Sequence, residues 1–164
     1  MKTIGKICFL ILSITLMSCG GSKEEKKPSP KAYTPKKTAT KPKEKKTPAS
    51  KVVDLNNKGV GPITTVKLQT TIEQDLAKQG EKIFTAKCKA CHKVDKRFIG
   101  PAIAGITKRR SPEWIMNMIL NPNKMVKEDP LAKQLLMEFN GAPMANQNLS
   151  KEDTRAVLEY FRTI

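Results

Sequence analysis

Two cysteines and a histidine fall within five residues, Cys88-Lys89-Ala90-Cys91-His92. C-x-x-C-H is the attachment signature of c-type haem (heme c). Two thiols about one helical turn apart can each add to a vinyl group. The adjacent histidine is then aimed at the iron from the same side. Two other chemistries use such cysteines. A C-x-x-C disulfide redox motif belongs beside a βαβ pattern, which this chain lacks. A zinc site needs four ligands, and the motif supplies three. His92 is the sole histidine of 164 residues, so a second axial ligand has to be methionine, lysine, water or nothing. Beyond residue 18, Met116, Met118 and Met137 sit in helical patterns, where methionine mostly fills core. Met125 and Met144 fall in loops. Met144 follows Pro143, which fixes the local backbone, and lies 52 residues beyond His92, room for helices to wrap a haem edge. This ranks Met144 first as sixth ligand, with Met125 or an open position as alternatives.

The elements that must position these groups read as four short helices. The first, over about 72–86, follows Thr71 with Gln74 three residues on, a capping-box pattern, and puts Leu76, Gly80, Ile83 and Phe84 on one face. The second starts at Ser111-Pro112-Glu113 and stops before Asn121-Pro122. The third starts at Asp129-Pro130 and ends at Asn140-Gly141, with Leu131, Leu135, Leu136 and Phe139 at helical spacing. The fourth starts at Ser150-Lys151-Glu152-Asp153 and carries Val157, Tyr160, Phe161 and Ile164 inward. No strong strand pair appears, so the expected class is all-α. Four short helices bury little, and an apolar cofactor at the centre would help stabilise so small a domain.

The N-terminus reads as an address. Lys2 and Lys6 precede an apolar run over residues 7–17, the layout of a secretory signal, too short to span a bilayer. Leu16-Met17-Ser18-Cys19-Gly20 resembles a bacterial lipobox, which implies a signal peptide over 1–18 and lipidation of Cys19. Residues 20–51 contain no Leu, Ile, Val, Phe or Met but eleven lysines and five prolines, so with Cys19 they read as a disordered tether over 19–51. Residues 52–71 read as a loop extension, with one short extended piece at 63–68 and no assigned role. The haem domain is expected over 72–164.

Charge narrows the partners. The net value of +16 first suggests nucleic acid or membrane. Its distribution says otherwise. Eleven lysines against three glutamates give residues 19–51 a charge of +8, whereas 18 cations and 12 acids give residues 52–164 only +6. Export argues against nucleic acid. Lys87, Lys89, Lys93, Lys96 and Arg97 crowd the haem motif and are expected to steer it toward an acidic partner.

The stretch 72–164 resembles the class I, single-haem cytochromes c of the small bacterial type. Gly80 and Phe84 precede Cys88 by eight and four residues, as in that family's first helix, and Tyr160 matches the aromatic that packs across the glycine. Gly100-Pro101 resembles the segment whose proline carbonyl accepts the proximal histidine's ring N–H. Ala142-Pro143-Met144 resembles the segment that supplies the sixth ligand. The N-terminal region and the helix at about 130–139 depart from the family core. The resemblance implies a cytochrome c fold around one covalent haem, with His92 and Met144 as axial ligands. Trp114, with Arg109 and Arg110 beside it, is either a donor set for haem propionates or a core anchor flanked by solvated arginines.

No acid/base pair, nucleophile or phosphate loop appears, so a carrier rather than an enzyme is expected. The expected role is a monomeric, membrane-anchored electron carrier in the periplasm or another extracytoplasmic space, working between respiratory complexes and a terminal oxidase or reductase, for example of denitrification. The alternatives are a fixed subunit of a reductase complex and a haem sensor or peroxidase.

Overall fold

Gly80 decides how the two longest helices meet. Helix α1 spans Gln74–Lys87 and the last helix, α5, spans Lys151–Phe161. They form the most extensive helix pairing of the fold. A Cβ on Gly80 would lie 1.9 Å from the Ala156 carbonyl oxygen, so only glycine lets the two backbones approach this closely. Around the crossing, Ala77, Phe84, Ala156, Val157 and Phe161 are buried. The rings of Phe84, Tyr160 and Phe161 pack tilted or edge-on at centroid distances of 5.4 to 6.0 Å, the geometry aromatic quadrupoles favour.

The capping box expected at Thr71 is not formed. Helix α1 begins at Gln74 with Glu73 at its N-cap and no side-chain cap. The Glu73 N–H donates instead to Glu159 Oε1 of α5, at 3.0 Å, so a tertiary acceptor replaces the local one. Glu159 is fully buried. Burial alone would raise its carboxyl. The Glu73 N–H, the hydrogen bond and charge of Arg155, and the charge of Arg162 outweigh that and hold it below the ordinary carboxyl value. A depressed folded-state value stabilises the fold above the unfolded carboxyl range and is lost as pH falls through the folded value. Glu159→Gln, which removes the buried carboxylate shared by Arg155 and Arg162, is therefore expected to cost roughly 3 kcal/mol at neutral pH. Thermal unfolding at pH 7 and pH 3 checks this, with the gap to wild type narrowing in acid.

Between the crossing helices lie α2, Pro112–Leu120, α3, Pro122–Glu128, and α4, Pro130–Glu138. The sequence reading missed α3. Each of the three starts with a polar N-cap followed by proline at the first helical position. Ser111 Oγ accepts from the Trp114 N–H, Asn121 Oδ1 from the Lys124 N–H, and Asp129 Oδ1 from the Ala132 N–H. Asn121-Pro122 both ends α2 and opens α3. Met125 accordingly belongs to a helix and not to a loop. Asn140 and Gly141, at φ 59° and 73°, end the α4 region in left-handed conformations.

The structure, a computed structural model, describes residues 47–164. The expected signal peptide over 1–18, the lipidation of Cys19 and the tether up to residue 46 lie outside the described residues. Ala49–Lys51, read as the end of the tether, forms a 3₁₀ turn with Ala49 buried. The extended piece expected at 63–68 is absent; among the described residues the only β-type pairing is one bridge, Asp54 with Arg110. The extension is nevertheless fixed, because side chains of the helices stand in for a neighbouring strand. Asn117, buried in α2, accepts from the Ile63 N–H at 2.9 Å and donates to the carbonyls of Lys58 and Ile63. The Val66 N–H donates to Glu113 at 3.1 Å, and the Val60 N–H reaches the Met125 sulfur at 3.0 Å. Gly59, at φ 68°, is needed there, since a Cβ would lie 2.7 Å from Met125. No helix of the described residues is long and apolar enough to cross a membrane.

Candidate functional site

The C-terminal end of α1 delivers the motif. The Cys88 N–H closes onto the Phe84 carbonyl, and the Cys91 and His92 N–H groups both return to the Cys88 carbonyl at 3.0 and 2.9 Å. The five residues thus form one tight turn, with Cys88 buried, Cys91 exposed and both thiols free. Burial, then the neighbouring Cys91, pushes the Cys88 thiol up to about 11, so it stays protonated at neutral pH.

His92 is oriented from two sides. Its Nδ1 lies 3.1 Å from the Pro101 carbonyl oxygen. A carbonyl can only accept, so Nδ1 carries the proton and Nε2 keeps the lone pair that binds a metal. Gly100 lies flat against the ring, since a Cβ there would sit 2.4 Å from Cε1, and its N–H donates to the Cys91 carbonyl. Burial lowers the imidazole below its ordinary value, against the opposing effect of the Pro101 bond, and favours the neutral ligand form.

Cys88, Cys91 and His92 open onto one large apolar cavity. Phe84 and Phe161 line it from the crossing helices, Pro101, Ile103 and Ile106 from the loop after the motif, Trp114, Ile115 and Ile119 from α2, and Leu135 and Leu136 from α4. Two methionines reach it, Met118 from α2 and Met144 from the loop before α5. Met144 is half-buried and flanked by Pro143 and Ala145, which also line the cavity. Met125 does not; it is fully buried in α3 with its sulfur engaged by Val60. Met137 is 71% exposed.

The indole N–H of Trp114 is not free for a propionate. It donates to Asp129 Oδ1 at 3.1 Å, and Asp129 also receives the Asn57 amide at 2.7 Å. The donor reading of Trp114 is corrected to a wall residue, because the carboxylate that caps α4 takes its polar end. Nor are the arginines solvated. Arg110 is 1% exposed, and Arg109 is half-buried. Arg109 donates to the Ala104 and Ala102 carbonyls. Arg110 donates to those of Val52, Arg109 and Ala49, with its guanidinium 5.2 Å from the Trp114 ring centroid. Both Nε atoms are buried without a partner, and both residues line the cavity. Neither makes an ion pair with an acid among the described residues. A fully buried cation beside a half-buried one, each with an orphan Nε and no acid, favours an anion there.

The residues therefore fit a haem: two free thiols, a histidine with its metal-binding nitrogen free, an apolar enclosure, and two unpaired cationic donors for carboxylates.

The cytochrome c family model matches residues 77–164. Among solved structures, a cytochrome c from Rhodothermus marinus is 45% identical, with a TM-score of 0.61, covering 71% of this chain and 92% of its own. An engineered form of that protein, 44% identical with a TM-score of 0.59, is described as bound to a carbene intermediate and is covered over 93% of its length. A coverage of 71% is more of the chain than the family segment alone, so the likeness reaches into the extension before residue 77. Comparison with curated proteins gives no significant match. The chain belongs to the cytochrome c family and carries a c-type haem bound covalently through Cys88 and Cys91.

Proposed function

We propose that this protein is a one-electron carrier with His92 and Met144 as axial ligands, exported and held to a bacterial membrane by lipid on Cys19, that shuttles between respiratory complexes and a terminal oxidase or reductase. The observation that carries the reading is the shared cavity. His92, the two thiols and Met144 open onto it together, and Met144 is the only methionine on that wall outside a helix. Haem c supplies a one-electron Fe(III)/Fe(II) couple, and a thioether opposite histidine pushes its potential upward. The chain's residues do the rest. Pro101 and Gly100 hold His92, the apolar walls exclude water, and Arg109 and Arg110 take a haem propionate.

The motif's surroundings favour an acidic redox partner. Lys87, Lys89 and Lys96 are exposed and free of ion pairs among the described residues. Two of the five cations are tied down. Arg97 pairs with Glu138 and stacks on Phe139, and Lys93 lies over Phe98. Phe98 and Ile99, each about half exposed, add apolar contact beside them. Stopped-flow oxidation by a purified acidic redox partner tests the proposal. The rate should fall steeply with salt, as expected with a Debye length of about 10 Å at 0.1 M. Lys89→Glu with Lys96→Glu should slow association on the order of 10-fold at low salt. A rate indifferent to both would overturn the carrier reading.

A further inference from the structure

We infer that the first folded segment of the extension, residues 49–54, positions the buried arginine pair and thereby sets the reduction potential. The inference rests on the propionate reading of Arg109 and Arg110. Arg110 is fully buried, yet no side chain accepts a hydrogen bond from its guanidinium. Two of its three acceptors are main-chain carbonyls of this segment, Ala49 at 2.6 Å and Val52. The Asp54 N–H closes the same contact by donating to the Arg109 carbonyl at 2.9 Å. These bonds occupy the terminal nitrogens and leave the buried Nε without a partner, in a residue that lines the cavity. Ser50 itself lines the cavity, so the segment also forms part of the wall.

The segment is latched to α4. Ser50 donates to Glu138 through its N–H at 2.8 Å and its hydroxyl at 2.6 Å. Releasing the latch frees the segment, lets water reach the arginines and weakens their field at the propionate. A weaker positive field lowers the potential, because the reduced haem carries the extra negative charge. It also lets a propionate held there take up a proton nearer neutral pH, which steepens the dependence of the potential on pH. The charged groups facing this region are Arg109, Arg110, Asp54 of the extension, Asp129 at the N-cap of α4, Glu138 of α4 with its partner Arg97, and Lys87 and His92 on the cavity wall.

Full-length haem-loaded protein with Ser50→Ala, and with Ser50→Ala plus Glu138→Ala, tests this by redox titration from pH 5 to 9 and amide exchange at residues 49–54. Faster exchange, a lower potential and a steeper pH slope are expected, larger in the double variant. The sign is diagnostic. Deleting the Glu138 charge alone would raise the potential. Ser50→Ala removes no charge at all. Arg110→Gln, with Arg110→Lys as the charge-keeping rescue, separates the two layers. If Arg110→Gln leaves the potential and its pH profile unchanged, the propionate reading fails. If it shifts them while the latch variants speed exchange with no shift, the inference on residues 49–54 fails alone.

Discussion

Met144→Ala is expected to abolish the near-infrared sulfur-to-iron charge-transfer band of the oxidised protein, make the reduced protein reactive to carbon monoxide and lower its potential. The thioether is a ligand that raises potential, and alanine offers nothing in its place. The loop makes the substitution clean. Its neighbours Ala142, Pro143, Ala145 and Asn146 are exposed, so the loop backbone can keep its course when the half-buried Met144 side chain is truncated. The control is Met118→Leu, the other methionine on the cavity wall. That change conserves volume, should cost less than about 1.5 kcal/mol and should keep the band. A band that survives in Met144→Ala, or disappears in Met118→Leu, would move the ligand into α2.

A large effect on stability is expected from a single methyl group. In Gly80→Ala the new Cβ meets the main chain of α5, at 1.9 Å from the Ala156 oxygen and 2.4 Å from its carbon, and main chain cannot turn aside as a flexible side chain would. Helix propensity favours alanine by about 1 kcal/mol. Overpacking costs up to about 3 kcal/mol or more, so the net sign is destabilising. At about 4 °C per kcal/mol for a domain of this size, the thermal midpoint should fall by roughly 8 °C. Lys82→Ala, exposed on the same helix, should change stability by less than about 0.5 kcal/mol. Because α1 leads straight into Cys88 and carries Phe84 on the cavity wall, its displacement should also loosen the site, read as faster exchange at the Cys91 and His92 amides. An unchanged midpoint would show that α1 and α5 separate without cost.

How much of this was legible in the residues differs from element to element. The C-x-x-C-H turn is local chemistry, complete within five positions, and its partners Gly100 and Pro101 follow closely enough to be found by resemblance. Helices α2, α4 and α5 were legible because their caps lie within one turn of their starts. Helix α3 carried the same signal at Asn121-Pro122, but one dipeptide serves as both stop and start, and the stop was read first. The Thr71 cap was a valid local option that lost to Glu159, 86 residues away from the backbone N–H it accepts.

The sequence by itself determined the haem motif and the all-α class, since each rests on residue type, spacing or periodicity over short range. Only the tertiary structure decided where buried donors point. Trp114 and Arg110 both line the cavity, but Asp129 takes the indole N–H, and the carbonyls of Ala49 and Val52 take the guanidinium nitrogens. Backbone carbonyls are the same in every residue, so no side-chain pattern in residues 49–54 marks them as a clamp. Their role exists only where the chain passes over Arg110.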